Sequence, residues 1–281
     1  MEKFERSWRI MKASWDLLRQ DKEILLFPVL SGLSLFLILL SFAVPVIALG
    51  GVEPVHRIAR HNGAVGNLVV LFAFYLINYF VILFFNTAIV ACATIRMRGG
   101  NPTVGDGLHA ASTRLFEIAG WAVVSASVGM LLRTIEERSR LVGRIVAGLL
   151  GMAWGITSYL VIPILVNERK GPMEAFQESA RLLKKTWGEE LIGGYSFGLV
   201  FFVLSMPAVA LVYGGVASGS GIPSLALFAL AVFYLVSLAV VQAALQGIFQ
   251  AALYQYARKG EAPRGFERDV LNEAVTPRSF G

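Results

Sequence analysis

Charged side chains disappear from the chain for long stretches and return in short clusters. Runs free of Asp, Glu, Lys and Arg cover Ile24–Val52, Ile58–Ala59 extended by Asn62–Ile95, Ile118–Leu132, Ile145–Asn167 and Leu191–Ala257. A helix needs about 20 apolar residues to cross roughly 30 Å of hydrocarbon, so each run is long enough, or nearly so, to be a membrane span. The last is too long for one helix. It is interrupted by Gly214-Gly215-Val216-Ala217-Ser218-Gly219-Ser220-Gly221-Ile222-Pro223, a composition that makes a turn rather than a helix interior. Six spans result. The third, Ile118–Leu132, is short and gains length from Leu115 and Phe116.

The segments between spans resemble one another. Phe4, Ser7, Arg9, Ile10, Met11, Lys12 and Trp15 have counterparts at one constant offset in Phe176, Ser179, Arg181, Leu182, Leu183, Lys184 and Trp187. A weaker copy is Ser112-Thr113-Arg114-Leu115-Phe116-Glu117, with His109 and Gly120 in place of the Phe and Trp. Thr103 and Asp106 form a capping-box pattern ahead of it. The even-numbered spans end alike, in Arg98-Gly99-Gly100-Asn101-Pro102, Arg169-Lys170-Gly171-Pro172 and Arg258-Lys259-Gly260-Glu261-Ala262-Pro263, and Gly then Pro is a helix stop. Phe4, Trp8, Met11 and Trp15 have helical spacing, repeated by Phe176, Ala180, Leu183 and Trp187. A Trp-bearing stripe with basic flanks suits a helix lying among lipid headgroups. The predicted fold is therefore an all-α membrane protein of six transmembrane helices with three cytoplasmic amphipathic helices. It has an internal pseudo-three-fold repeat, over approximately 1–98, 99–170 and 171–260. This makes one membrane domain, 1–260, followed by a charged cytoplasmic tail, 261–281, expected to be mobile or bound to a partner.

Composition fits this picture. Of 281 residues 56% are hydrophobic and 16% charged, against about 25% charged in an ordinary soluble domain. The formal net charge is +6. Counting from the span pattern, 19 of the 25 basic residues, with every lysine, fall on the side of the termini, and 6 fall opposite: Arg57, Arg60, Arg133, Arg138, Arg140 and Arg144. The positive-inside rule then places both termini in the cytoplasm. The basic surplus is an orientation signal, and no nucleic-acid partner is implied. One cysteine, Cys92, excludes an intrachain disulfide.

Motifs with chemical potential have simpler explanations. Gly194-Tyr195-Ser196-Phe197-Gly198 matches a nucleophile-elbow pattern, but it sits in an expected helix and no span carries a histidine. Like Gly151-Met152-Ala153-Trp154-Gly155, it reads as a small-residue packing face. Glu136, Glu137, Arg133 and Arg140 pair at i, i+4 as a solvated helix end. Glu53, His56 and His61 lack a regular ligand spacing, so no metal or other cofactor is expected. The spans contain no ionisable Asp, Glu, Lys, Arg or His, which argues against an enzyme and against a proton-coupled pump.

Uncharged polar residues in the spans align. Gln242, Gln246 and Gln250 follow i, i+4, i+8, and Asn78 and Asn86 share that separation; Tyr75, Tyr79, Tyr159 and Tyr234 add hydroxyls. Such groups are costly against lipid and should face inward. They are read either as interhelical hydrogen bonding or as a polar lining built from Asn78, Asn86, Tyr159, Gln242, Gln246 and Gln250. Trp8, Arg9, Trp15, Arg114, Arg181, Lys184 and Trp187 are the candidate interfacial contacts. The leading functional expectation is a non-catalytic protein that organises anionic lipids or a partner membrane protein, which could be a second copy of itself. The alternative is a transporter or pore for a lipid-like or uncharged solute, and a membrane enzyme comes third.

The block from Ser7-Trp8-Arg9 through Lys22-Glu23-Ile24-Leu25-Leu26-Phe27-Pro28-Val29-Leu30-Ser31-Gly32, together with Phe249-Gln250-Ala251-Ala252-Leu253-Tyr254, resembles a prokaryotic family of uncharacterised six-span membrane proteins. That resemblance implies the fold and a prokaryotic cytoplasmic membrane, and no activity. The alternation of amphipathic helix and helix pair is also similar, in topology only, to the membrane domain attached to some glycerophosphodiester phosphodiesterases, and it implies none of their chemistry.

Overall fold

A computed structural model describes residues 2–48, 52–138, 142–187, 197–219, 221–268 and 271. The described residues form helices and the turns that join them: α1 (Glu2–Gln20), a 3-10 turn (Lys22–Leu25), α2 (Leu26–Ala48), α3 (Val52–Met97), α4 (Val104–Ser112), α5 (Leu115–Arg138), α6 (Val142–Thr157), α7 (Val161–Glu168), α8 (Pro172–Trp187), α9 (Phe197–Ala217) and α10 (Ile222–Lys259). Among the described residues six stretches are long and apolar enough to cross a membrane: Lys22–Val44, Val65–Met97, Leu115–Glu137, Val142–Glu168, Val200–Ala217 and Ile222–Lys259. The third span does recruit Leu115 and Phe116. The chain divides into two compact units, one of Met1–Pro28, Ile89–Val104 and Leu182–Gly281, the other of Val29–Ala88 and Gly105–Arg181.

In the first unit α10 is the central element. At about 1.5 Å per residue, its 38 residues outrun the hydrocarbon thickness of roughly 30 Å. Its two halves differ accordingly. Leu225, Leu230, Val232, Phe233, Leu235 and Val236 are exposed, as acyl chains would require, whereas everything from Gly247 to Tyr256 is buried. Helix α10 is packed by α1, α9 and the 3-10 turn. The glycine-rich break is narrower than the sequence predicts. Gly214 and Gly215 stay helical, and a Cβ on Gly215 would stand 3.2 Å from the Phe228 ring, so they are contact surface for α10. Among the described residues, Gly219 and Gly221, at φ 72° and 149°, supply the turn. Pro207 inside α9 cannot donate to the Val203 carbonyl. On the neighbouring residue, the Leu204 carbonyl accepts a 2.5 Å bond from the Tyr234 hydroxyl.

Asp21 joins this unit's segments. Its buried carboxylate accepts both Nε–H and Nη2–H of Arg96, whose Nη2 also donates to Asn101 Oδ1 at 2.6 Å. Two residues on, Glu23 Oε2 accepts the first N–H of α4, from Val104, at 3.3 Å. An orphan donor at a helix start is thereby satisfied from outside the helix. The stretch expected to be mobile or bound to a partner is partly anchored: Pro263, Phe266 and Leu271 are buried.

In the second unit α5 and α6 form a hairpin. The fourth span, expected as one helix, is two. Pro163 lacks an N–H and its ring crowds the carbonyl of residue 159, so the helix breaks at Ser158–Leu160 before α7 begins. The break would strand backbone groups in an apolar setting, and Ser179 of α8 serves both sides of it. Its Oγ accepts Leu160 N–H at 3.1 Å and donates to the Thr157 carbonyl at 2.6 Å. Trp121, Trp154 and Phe176 stack alongside, with centroids 5.3, 5.9 and 5.0 Å apart. Gly120 fits closely here, since a Cβ would lie 2.7 Å from Pro172.

The span endings are not uniform. Gly99 and Gly260 take positive φ, as a glycine stop should, but at the middle ending the left-handed residue is Arg169, φ 52°. Gly171 instead starts α8, its N–H donating 3.3 Å to Glu174 Oε2 with Pro172 at the first helical position.

Candidate functional site

Helix α1 has three sectors. At about 100° per residue, Ile10, Ser14, Leu17 and Leu18 fall within one arc of about 100°, and all four are buried. Trp8 and Trp15 lie beside that arc, 46% and 40% exposed. Beyond them come Arg19, Lys12 and Arg9, all exposed. The tryptophans of the spaced stripe are therefore exposed, and a different set of residues is packed. Trp8 and Trp15 border the packed face, and Ile10, Ser14, Leu17 and Leu18 form it. Met11 is half-buried between the two, and the side chain of Phe4 lies outside the described residues.

On α8 the buried positions are Ala175, Glu178, Ser179, Leu182 and Leu183. Arg181 and Lys184 are exposed, and Arg181 donates 3.0 Å to Glu178. Lys170 reaches Glu168 at 2.8 Å and Glu178 at 3.3 Å. Its pKa is raised above the ordinary lysine value, first by the hydrogen bond to Glu168 and further by Glu178, against the opposing cost of desolvation. The Trp187 side chain lies outside the described residues. The weak middle copy is divided: Ser112 ends α4, a turn follows, and Leu115 starts α5. Arg114 there is half-buried, 3.6 Å from Glu117.

The aligned polar residues are placed as follows. Asn78 is half-buried and donates to its own helix, at the Phe74 carbonyl, at 2.7 Å. Asn86 and Tyr159 are half-buried in the same unit. In the other unit Gln242 and Gln246 are half-buried and Gln250 is buried. Gln255, not singled out by its spacing, is buried with its amide 3.3 Å from Met97 Sδ. The side chains of Glu53, His56 and His61, residues 194–196 of the glycine-flanked serine motif, and Arg140 fall outside the described residues.

A cleft of about 760 Å³ opens at the end of the α5–α6 hairpin, lined by Tyr75, Leu132, Arg133, Glu136, Glu137 and Arg144 together with the small residues Gly129, Ala147 and Gly148. On α5 the lining follows i, i+3, i+4, i+7, i+8 from Gly129 to Glu137, and on α6 it follows i, i+3, i+4 from Arg144. Both are single helix faces. The expected Arg133–Glu137 pair is present, Nε to Oε1 at 2.8 Å, and Arg133 Nη1 also donates to the Tyr75 hydroxyl at 3.1 Å. Tyr75 in turn stacks on Tyr79. Small residues make the recess. A Cβ on Gly129 would come 3.2 Å from the Tyr79 hydroxyl, and around Gly148 no atom lies within 4 Å of such a Cβ. A solvated helix end is therefore also the wall of a cavity. The sequence carried one signal of this, the Gly-Leu-Arg-Glu-Glu stripe at helical spacing.

The model of a family of unknown function, DUF6159, matches residues 64–265. No curated protein and no solved structure matches the chain. The match covers well over half of the sequence, and the chain belongs to that family.

Proposed function

We propose that this DUF6159 member is a non-catalytic protein of the prokaryotic cytoplasmic membrane, with both termini cytoplasmic, that gathers anionic lipids at its inner surface. The observation that carries the reading is the three-sector surface of α1. A helix that only braces the bundle has no use for two exposed tryptophans set between its packed face and a basic arc. A helix in the headgroup plane needs that order: protein on one side, ring-shaped amphipathic groups toward the acyl boundary, cations toward phosphate. The related helix α8 supports it. Buried Leu182 occupies the position of Ile10, and exposed Arg181 and Lys184 those of Arg9 and Lys12, the correspondence expected of repeated units. Basic residues near an anionic surface contribute about 1 kcal/mol each, so a few on two helices suffice to bias the local lipid composition.

The test is lipid retention by the full chain extracted into nanodiscs of mixed phosphatidylglycerol and phosphatidylcholine. The wild type should enrich phosphatidylglycerol around itself. Trp8→Ala with Trp15→Ala, and separately Arg9→Gln with Lys12→Gln, should abolish that enrichment while leaving the melting temperature unchanged. Enrichment that survives both pairs of substitutions would count against the proposal.

A further inference from the structure

We infer that the cleft at the end of the α5–α6 hairpin is a binding site for a zwitterionic amphiphile bearing a phosphate and a primary ammonium, the headgroup chemistry of an aminophospholipid. This inference is independent of the α1 surface and uses none of its residues. The cleft lies within the size range of small-ligand pockets, roughly 300–1,000 Å³, at about 760 Å³. Its four ionisable walls are Arg133, Arg144, Glu136 and Glu137, so its formal charge is balanced while both signs are displayed. A simple anion would meet two carboxylates and a simple cation two guanidiniums. A dipolar headgroup meets both with the matching sign.

Each half of such a headgroup has a partner chemistry. Guanidinium forks bind phosphate oxygens in two-point contact, and carboxylates accept N–H bonds from an ammonium. Arg133 is already oriented, since its Nε is on Glu137 and its Nη1 on the Tyr75 hydroxyl, which limits the freedom lost on binding. Leu132 and Ala147 supply apolar wall below the charges, and both belong to membrane-crossing helices, so a chain attached to the headgroup continues into hydrocarbon. The open space over Gly148 is where the ligand's backbone enters.

The experiment is native mass spectrometry of the full chain in detergent, titrated separately with phosphatidylethanolamine, phosphatidylcholine, phosphatidylglycerol and soluble glycerophosphoethanolamine. One phosphatidylethanolamine per chain should be retained. Phosphatidylcholine, whose quaternary nitrogen cannot donate, and phosphatidylglycerol, which has no cation, should each bind about tenfold or more weakly, the loss expected for one charge-assisted contact. Gly148→Leu should remove binding, because its side chain fills the open space without displacing a neighbour. Arg144→Gln and Glu136→Gln, both exposed positions, should each weaken binding about tenfold at unchanged melting temperature. If Gly148→Leu melts early, these two variants decide. Equal retention of phosphatidylglycerol, or wild-type binding in both charge variants, overturns the site. Equal binding of soluble glycerophosphoethanolamine overturns the lipid as its source.

Discussion

Replacing Ser179 by Ala removes one oxygen and tests whether the break in the fourth span is held by that oxygen. Leu160 N–H donates to Ser179 Oγ at 3.1 Å, and Thr157 C=O accepts from it at 2.6 Å. Ser179 and Leu160 are both fully buried, so water does not replace the lost partner. An orphaned buried donor costs about 1–3 kcal/mol, and loss of the second bond adds roughly 0.5–1.5 kcal/mol. The substitution leaves almost no cavity, so the expected destabilisation is about 2–4 kcal/mol and is chiefly polar. Reversible unfolding by sodium dodecyl sulfate in mixed micelles reads this directly as a change in unfolding free energy. Ser179→Thr keeps the hydroxyl and should retain most of the stability. Ser179→Cys keeps the volume with a weaker donor and should fall between. If Ser179→Ala lies within about 0.5 kcal/mol of wild type, the turn at Ser158–Leu160 is held by Pro163 alone and the capping argument is wrong.

Other substitutions separate polar from packing contributions in the same assay. Asp21→Ala leaves Arg96 without its carboxylate and should cost about 2–3 kcal/mol, below the roughly 3–5 kcal/mol of a fully buried pair because the Arg96 side chain is 21% exposed; the double variant Asp21→Leu, Arg96→Met should recover most of that loss. Ser14 is buried with its hydroxyl unpartnered among the described residues, so Ser14→Ala should be neutral or stabilising by up to about 1 kcal/mol, and a loss above that would reveal an unseen partner. Trp121→Ala opens the three-ring stack and should cost about 3–5 kcal/mol. The contribution of Lys170 should be flat from neutral pH to the ordinary lysine value near 10.4 and decline as pH rises through its raised value, so the stability difference between wild type and Lys170→Met should shrink only in strong alkali.

The sequence revealed the spans because hydrocarbon tolerates so few side chains that charge-free runs mark them directly. Their interruptions depended on tertiary partners and were less legible. Pro163 was visible inside the fourth run, but a proline in a span can kink, break or be absorbed. What made it a break was Ser179, sixteen residues later on another helix. Likewise Gly214 and Gly215 look like turn residues until Leu227 and the Phe228 ring are placed 3.5 and 3.2 Å from where their Cβ atoms would stand. Glycine serves turns and close approach equally well, and local sequence does not distinguish them.

The two candidate surfaces differ in the same way. On α1 the helical spacing of Trp8 and Trp15 was legible and read as interfacial, whereas Ile10, Ser14, Leu17 and Leu18 were not singled out. The structure adds the packed face: the smaller residues are buried, and the tryptophans are exposed beside the basic arc. A proposed function in lipid binding rests on that exposure, since buried tryptophans would have made α1 a brace. At the hairpin, Arg133, Glu136 and Glu137 were legible as a helix face, but a cavity needs an opposing wall. That wall is Arg144, Ala147 and Gly148, brought opposite by closure of α5 on α6. Glycine at 148 leaves open the volume that a larger side chain would have filled, so the recess depends on what that position lacks, which a search for reactive residues does not detect.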